Sequence, residues 1–313
     1  MSEQVLLFGE HRTLVGVVTS PDAPEGAPTA SAPVAAVFLN AGVIHRVGPS
    51  RLYVHLARAL ARLGWMSVRF DHSGIGDSPV RRDGRSFEES ATLEAGEAMD
   101  ALEQSYGVRR FVLIGLCSGA VTAFEAAGVD ERVAGIVMIN PQGFADVAEW
   151  TDYVQNRGHA RKYWTQSLFS AASWRKALTG RVDYRRLLRV LWRQATAGVA
   201  AEKAAPVAAR VASDLAKMLR RRVRALLVCS EGDDGIEYMN VILEQDVRRM
   251  PAMPGLTVEI LDGADHSLTI CDSQRRIIEV VRRWVEAFGA DERGAADVVS
   301  GNVLASDAAM LSV

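Results

Sequence analysis

The chain has 313 residues, 49% of them hydrophobic and 24% charged, the balance of an ordinary globular fold. Its formal net charge of −2 gives no ground for nucleic-acid or membrane-surface binding, and no run approaches the roughly 18 apolar residues of a spanning helix. The cysteines, Cys117, Cys229 and Cys271, are odd in number and unpaired in spacing, and the N-terminus lacks a signal-peptide core. Both observations lead us to expect a reducing cytoplasm rather than a disulfide framework.

QVLLF and TLVGVVT read as an opening strand pair, followed by a Pro/Ala loop over 20–33. VAAVFLN (34–40) is a short apolar run suited to a strand buried on both faces. Over 50–63, Leu52, Leu56, Leu60 and Leu63 fall at helical spacing and Gly64 supplies a stop. MSVRFD (66–71) is the next strand, 86–107 an amphipathic helix ending at Gly107, and RRFVLIG (109–115) a further strand. A helix to about residue 127, RVAGIVMIN (132–140), RALLVCS (224–230), LTVEILD (256–262) and a closing helix to Gly289 complete the series. Strands alternating with helices predict an α/β fold, with a mostly parallel central sheet and helices on both faces.

Residues 141–222 interrupt that alternation with helical patterns and hold four of the six tryptophans, Trp150, Trp164, Trp174 and Trp192. They carry 16 Lys and Arg against 6 Asp and Glu. This stretch reads as a helical cap inserted over the carboxyl edge of the sheet, where open α/β sheets bind ligands. The core is then 1–140 with 223–289, and the small, polar residues 290–313 form a mobile tail.

Residues 114–120, IGLCSGA, set two nucleophilic side chains next to each other. In a G-x-Nu-x-G elbow the nucleophile sits on a strained strand-to-helix turn, and small flanking residues let helix and strands pack closely. With Cys117 at the centre the flanks are Gly115 and Gly119; with Ser118 they would be Leu116 and Ala120. The elbow register therefore selects Cys117 as nucleophile and leaves Ser118 to contribute its backbone N–H to an oxyanion hole. The alternative is a small buried cysteine beside a tight turn.

With FDHSGIGDS (70–78) matching D-x-x-G-x-G-x-S and GADHS (263–267) closing the series, the chain resembles the α/β-hydrolase superfamily over roughly 5–289. NAGVIHRVGPSRLY, RFDHSGIGDS, GLC and ARKYWTQSLFSAASWRKALTGRVDYR are more specifically similar to exosortase-system-associated hydrolases. In those relatives Asp-Ala-Ala follows GLC, where this chain has Ser118-Gly119-Ala120. A cysteine-centred elbow also occurs in dienelactone hydrolases.

The resemblance implies a nucleophile–acid–histidine order along the chain, which makes His266 the base. The acid follows RALLVCS, where Asp233 has the favoured spacing and Asp234 is the reserve. The turn AGV (41–43) stands where the fold has its second oxyanion donor, with Gly42 allowing close approach and the N–H of Val43 donating. His45, Arg46 and Arg51 either contact an anionic substrate group or anchor their loop. Trp164 and Trp174 are candidates for an apolar acyl chamber, or for the cap's own core. Cys229 reads as core packing; Cys271 is structural or a redox partner of Cys117. No metal-ligand cluster appears and GIGDS lacks phosphate-loop spacing, so no cofactor is expected.

A thiol nucleophile forms a thioester acyl-enzyme, which favours amines over water more than an oxygen ester does. The leading expectation is an acyltransferase or thioesterase acting on an acyl thioester or activated ester. Its basic cap would meet the phosphates of coenzyme A or the acidic surface of an acyl carrier protein. The alternatives are a carboxylesterase or lactonase, and a non-catalytic protein whose cap binds a partner.

Overall fold

The computed structural model describes residues 1–22, 34–144, 206–250 and 253–289. Eight strands form one sheet: β1 (Ser2–Phe8), β2 (Leu14–Ser20), β3 (Ala35–Leu39), β4 (Met66–Phe70), β5 (Phe111–Leu116), β6 (Val133–Ile139), β7 (Arg224–Ser230) and β8 (Leu256–Leu261). Their spatial order is β1-β2-β4-β3-β5-β6-β7-β8. The β1/β2 and β2/β4 pairs are antiparallel and the rest are parallel. The apolar runs AAVFL, FVLIGL and VAGIVMI are buried along their whole length, as strands covered on both faces must be. β1 lies at the edge and is mostly exposed.

Helices cover the two faces. α1 (Leu52–Arg62) and the closing helix α6, residues 271–289, pack on one side through Leu56, Leu60, Val281 and Trp284. On the other side lie α2 (Phe87–Tyr106), α3 (Ser118–Val129), residues 206–220 (α4) and α5 (Gly235–Ile242). α2 opens with a capping box in which Ser86 and Glu89 satisfy each other's backbone N–H groups, and Gly107 closes it in the left-handed conformation. Gly96, within α2, has open space where a Cβ would stand. Gly96→Ala is therefore expected to raise stability by about 0.5–1 kcal/mol, read as a higher urea midpoint.

Of the stretch expected to form a cap, 145–205 lies outside the described residues, and with it Trp164 and Trp174; the tail 290–313 does as well. The end of that stretch, α4, is built into the core, with Val211, Leu215 and Met218 buried beside α3 and β7. Among the described residues no helix is long and apolar enough to cross a membrane.

Candidate active site

The parallel strands β3, β5, β6, β7 and β8 bring the segments that follow them to one edge of the sheet, the usual place for a site in such a fold. Cys117 follows β5 directly and opens α3 at φ 57° and ψ −122°, a left-handed conformation costly for any residue with a Cβ. Its flanks explain how that turn is tolerated. A Cβ on Gly115 would overlap the backbone of Gly119, and one on Gly119 would stand 2.5 Å from the carbonyl oxygens of Leu39 and Asn40. Only glycine at both places lets α3 run against β5 and the end of β3.

His266 lies in the segment after β8 and Asp233 in the segment after β7. Their ring and carboxylate meet at 2.7 Å, His266 Nδ1 to Asp233 Oδ2. Asp234 is exposed and serves as the backbone N-cap of α5. The hydrogen bond that His266 donates to Asp233 raises its pKa most, interaction with Cys117 adds to it, and burial opposes both; the result is about 10. The ring therefore holds its proton more tightly than a free imidazole, with Asp233 the main cause and Cys117 the second.

The turn after β3 sits over the start of α3. Ile44 N–H donates to the Ala41 carbonyl at 3.0 Å, and Gly42 N–H donates to the Ser118 hydroxyl at 2.8 Å. Val43 holds its side chain almost wholly in solvent, at 90% exposure. His45 and Arg51 are exposed as well. Arg46 is engaged internally. Its guanidinium pairs with Asp71 and, at 2.6 Å, with Asp77, while its N–H donates to Asp71 Oδ1 at 2.6 Å. Of the two roles open to Arg46, loop anchoring is the one its contacts serve, because two carboxylates already occupy the charge a substrate anion would need. Cys229 is buried in the core, which pushes its thiol up to about 12, and Cys271 is exposed.

Three residues that sequence patterns do not single out brace this arrangement. Asn140, fully buried at φ 44° just past β6, donates from Nδ2 to Ser230 Oγ at 2.9 Å and to the His266 carbonyl at 2.7 Å. Its Oδ1 accepts from Ser230 N–H at 2.7 Å. Gln142 brings Nε2 to 3.4 Å from the other oxygen of Asp233, and its own N–H donates to the Cys117 carbonyl at 3.4 Å. The buried Tyr53 hydroxyl donates to the Leu39 carbonyl at 2.8 Å and accepts from Leu116 N–H at 2.9 Å, bridging β3 and β5 immediately before Cys117.

This sheet, with a strained residue between β5 and α3 and a histidine–carboxylate pair beyond β7 and β8, is the architecture of the α/β hydrolases. A family model for the alpha/beta hydrolase fold matches residues 43–226, more than half the chain, and the chain belongs to that family. No curated protein matches it significantly. Among solved structures it is similar to the ferulic acid-bound Est1E of Butyrivibrio proteoclasticus, at 13% identity and a TM-score of 0.56, over 88% of this chain and 94% of that one. It is also similar to the Pyrococcus furiosus esterase Pf2001 at 14% identity and a TM-score of 0.55, over 91% of each chain. An alpha-beta serine hydrolase homologue from Coxiella burnetii gives 15% identity and a TM-score of 0.51, over 90% of this chain and 97% of that one. At these identities the likeness is one of fold.

Proposed function

We propose that this α/β hydrolase transfers acyl groups through a thioester on Cys117, with His266 and Asp233 completing the triad. The observation that carries the reading is the His266 ring, bonded to Asp233 at 2.7 Å and with its pKa raised by Asp233 and by Cys117, the residue that follows the elbow strand. An imidazolium beside a thiol favours the thiolate, the reactive form. The thiolate adds to the acyl carbonyl, and the backbone N–H groups of Ser118 and Val43 take the developing oxyanion. Collapse expels the leaving group, which takes the imidazolium proton and departs as a thiol or an alcohol, leaving His266 neutral. The acceptor, an amine, alcohol or water, then gives its proton to neutral His266 as it attacks the thioester, and the Cys117 thiolate is released.

The 16 Lys and Arg against 6 Asp and Glu over 141–222 support an anionic donor, coenzyme A or an acyl carrier protein. Trp164, Trp174, His45 and Arg51 are the residues proposed to meet it. The cap motif and the GLC start support a place beside the exosortase-system-associated hydrolases, and the free thiol suits the reducing cytoplasm.

The test is intact mass after incubation with a panel of acyl thioesters. An acyl adduct, shed faster to added amines than to water, is the expected result. Turnover of simple oxygen esters with no preference for thioesters would favour a carboxylesterase instead. No adduct and no turnover would remove the catalytic reading.

The His266 proton also predicts a pH profile. Because its pKa is raised, the imidazolium persists until about pH 10, so kcat/KM for an oxygen ester should fall only above that. Asp233→Asn removes the strongest influence on that proton, so the alkaline limb should move toward neutral pH. An unmoved limb would dissociate it from His266.

A further inference from the structure

Ser118 has a second role open to it, carried by its side chain. The turn 41–44 has few anchors: Val43 is almost wholly exposed, so packing of that side chain does not hold it. Ala41 is buried in the core and Ile44 packs against it, so the ends of the turn are held by packing and its middle by polar contacts. Asn40, buried at the end of β3, donates from Nδ2 to the Ile44 carbonyl at 2.8 Å and accepts at Oδ1 from His72 N–H at 2.8 Å. Besides the bond from Ile44 N–H to the Ala41 carbonyl, a restraint from outside the turn is the Ser118 hydroxyl, which accepts Gly42 N–H at 2.8 Å. That bond has two effects. It occupies the Gly42 donor, so Val43 N–H is the next one the turn can offer. It also joins the turn to the first residue of α3, whose own N–H is the partner donor.

We propose that Ser118 is a positioning residue whose hydroxyl, with Asn40 across the base of the turn, sets Val43 N–H in register with Ser118 N–H so that both donors meet one acyl oxyanion. The inference rests on the acyl-transfer reading and names the device that would align its oxyanion hole. An oxyanion hole works by preorganisation, and a donor that drifts loses most of its value even though it is still present.

The test compares Ser118→Ala with Ser118→Thr, which retains the hydroxyl, and with Asn40→Asp, which takes the donor from Ile44. Three rates are read: single-turnover acylation by a thioester, alkylation of Cys117 by iodoacetamide, and hydrogen exchange at the Gly42 amide by NMR. Alkylation is a displacement at a saturated carbon that makes no oxyanion, so it reports the thiolate alone. Ser118→Ala should slow acylation by about 10- to 100-fold, approaching the loss of one donor. Alkylation should stay within about twofold, since neither Cys117 nor the His266–Asp233 pair is touched. Gly42 exchange should accelerate. Ser118→Thr should restore acylation, and Asn40→Asp should show the same selective loss. The proposal is overturned if Ser118→Ala acylates at the wild-type rate, if alkylation falls by the same factor, or if Gly42 exchange does not change. If the wild-type protein takes up no acyl group while Cys117 still alkylates, it is the acyl-transfer reading that fails, and the oxyanion role of the turn falls with it.

Discussion

Replacing Cys117 with alanine is expected to abolish acyl-adduct formation and to lower kcat/KM toward a thioester by about 10⁴-fold or more, the scale on which loss of a nucleophile is felt in enzymes of this type. The reasoning is chemical rather than structural. Alanine has the same Cβ as cysteine, so the left-handed turn at φ 57° costs the same in both proteins. The thiol is only half-buried and contributes little packing. His266 and Asp233 keep their 2.7 Å hydrogen bond, and the turn 41–44 keeps its tether. What disappears is the atom proposed to bond to the acyl carbon. The unfolding midpoint should hardly move, which separates a loss of chemistry from a loss of fold. An adduct that survives in Cys117→Ala would assign the nucleophile elsewhere, with Ser118 the first residue to examine.

Gly115→Ala should show the opposite signature: loss of fold, with activity lost as a consequence. The added methyl would overlap the backbone of Gly119, and it would stand 2.5 Å from the Ala120 nitrogen. No flexible side chain is available to yield, so α3 must lift from β5 and part from the end of β3. Overpacking against rigid backbone at the centre of a sheet is expected to cost at least about 3 kcal/mol. The measurement is urea unfolding, with Gly96→Ala as the matched control, since the same change there meets no neighbour. A wild-type midpoint for Gly115→Ala would show that helix and strand can separate freely at the elbow.

Much of this molecule is legible in its sequence because local patterns carry it. The buried strands announce themselves as short apolar runs, and the elbow as two glycines spaced around Cys117. The segments after β7 and β8 hold Asp233 and His266 where chain order implies them. What local patterns do not carry are contacts between distant parts of the chain. The Asn140 amide reaches a carbonyl 126 residues away, Ser118 reaches Gly42 across 76, and Tyr53 reaches Leu116 across 63. A buried asparagine after a strand looks like any turn former until its partners are known. Arg46 has the same ambiguity in reverse: its charge suggests an anion-binding group, and only the nearness of Asp71 and Asp77 shows where that charge is spent. α5 is not legible for a different reason, since eight residues give too few turns for a helical period to stand out.

The bracing of His266 has a consequence for motion. Its main chain is fastened through the carbonyl to Asn140, and its ring through Nδ1 to Asp233. With both ends held, rotation of the ring would break one bond or strand the other. The orientational entropy of the imidazole is therefore surrendered once, when the chain folds, and a proton entering or leaving the second ring nitrogen, Nε2, finds it already aimed.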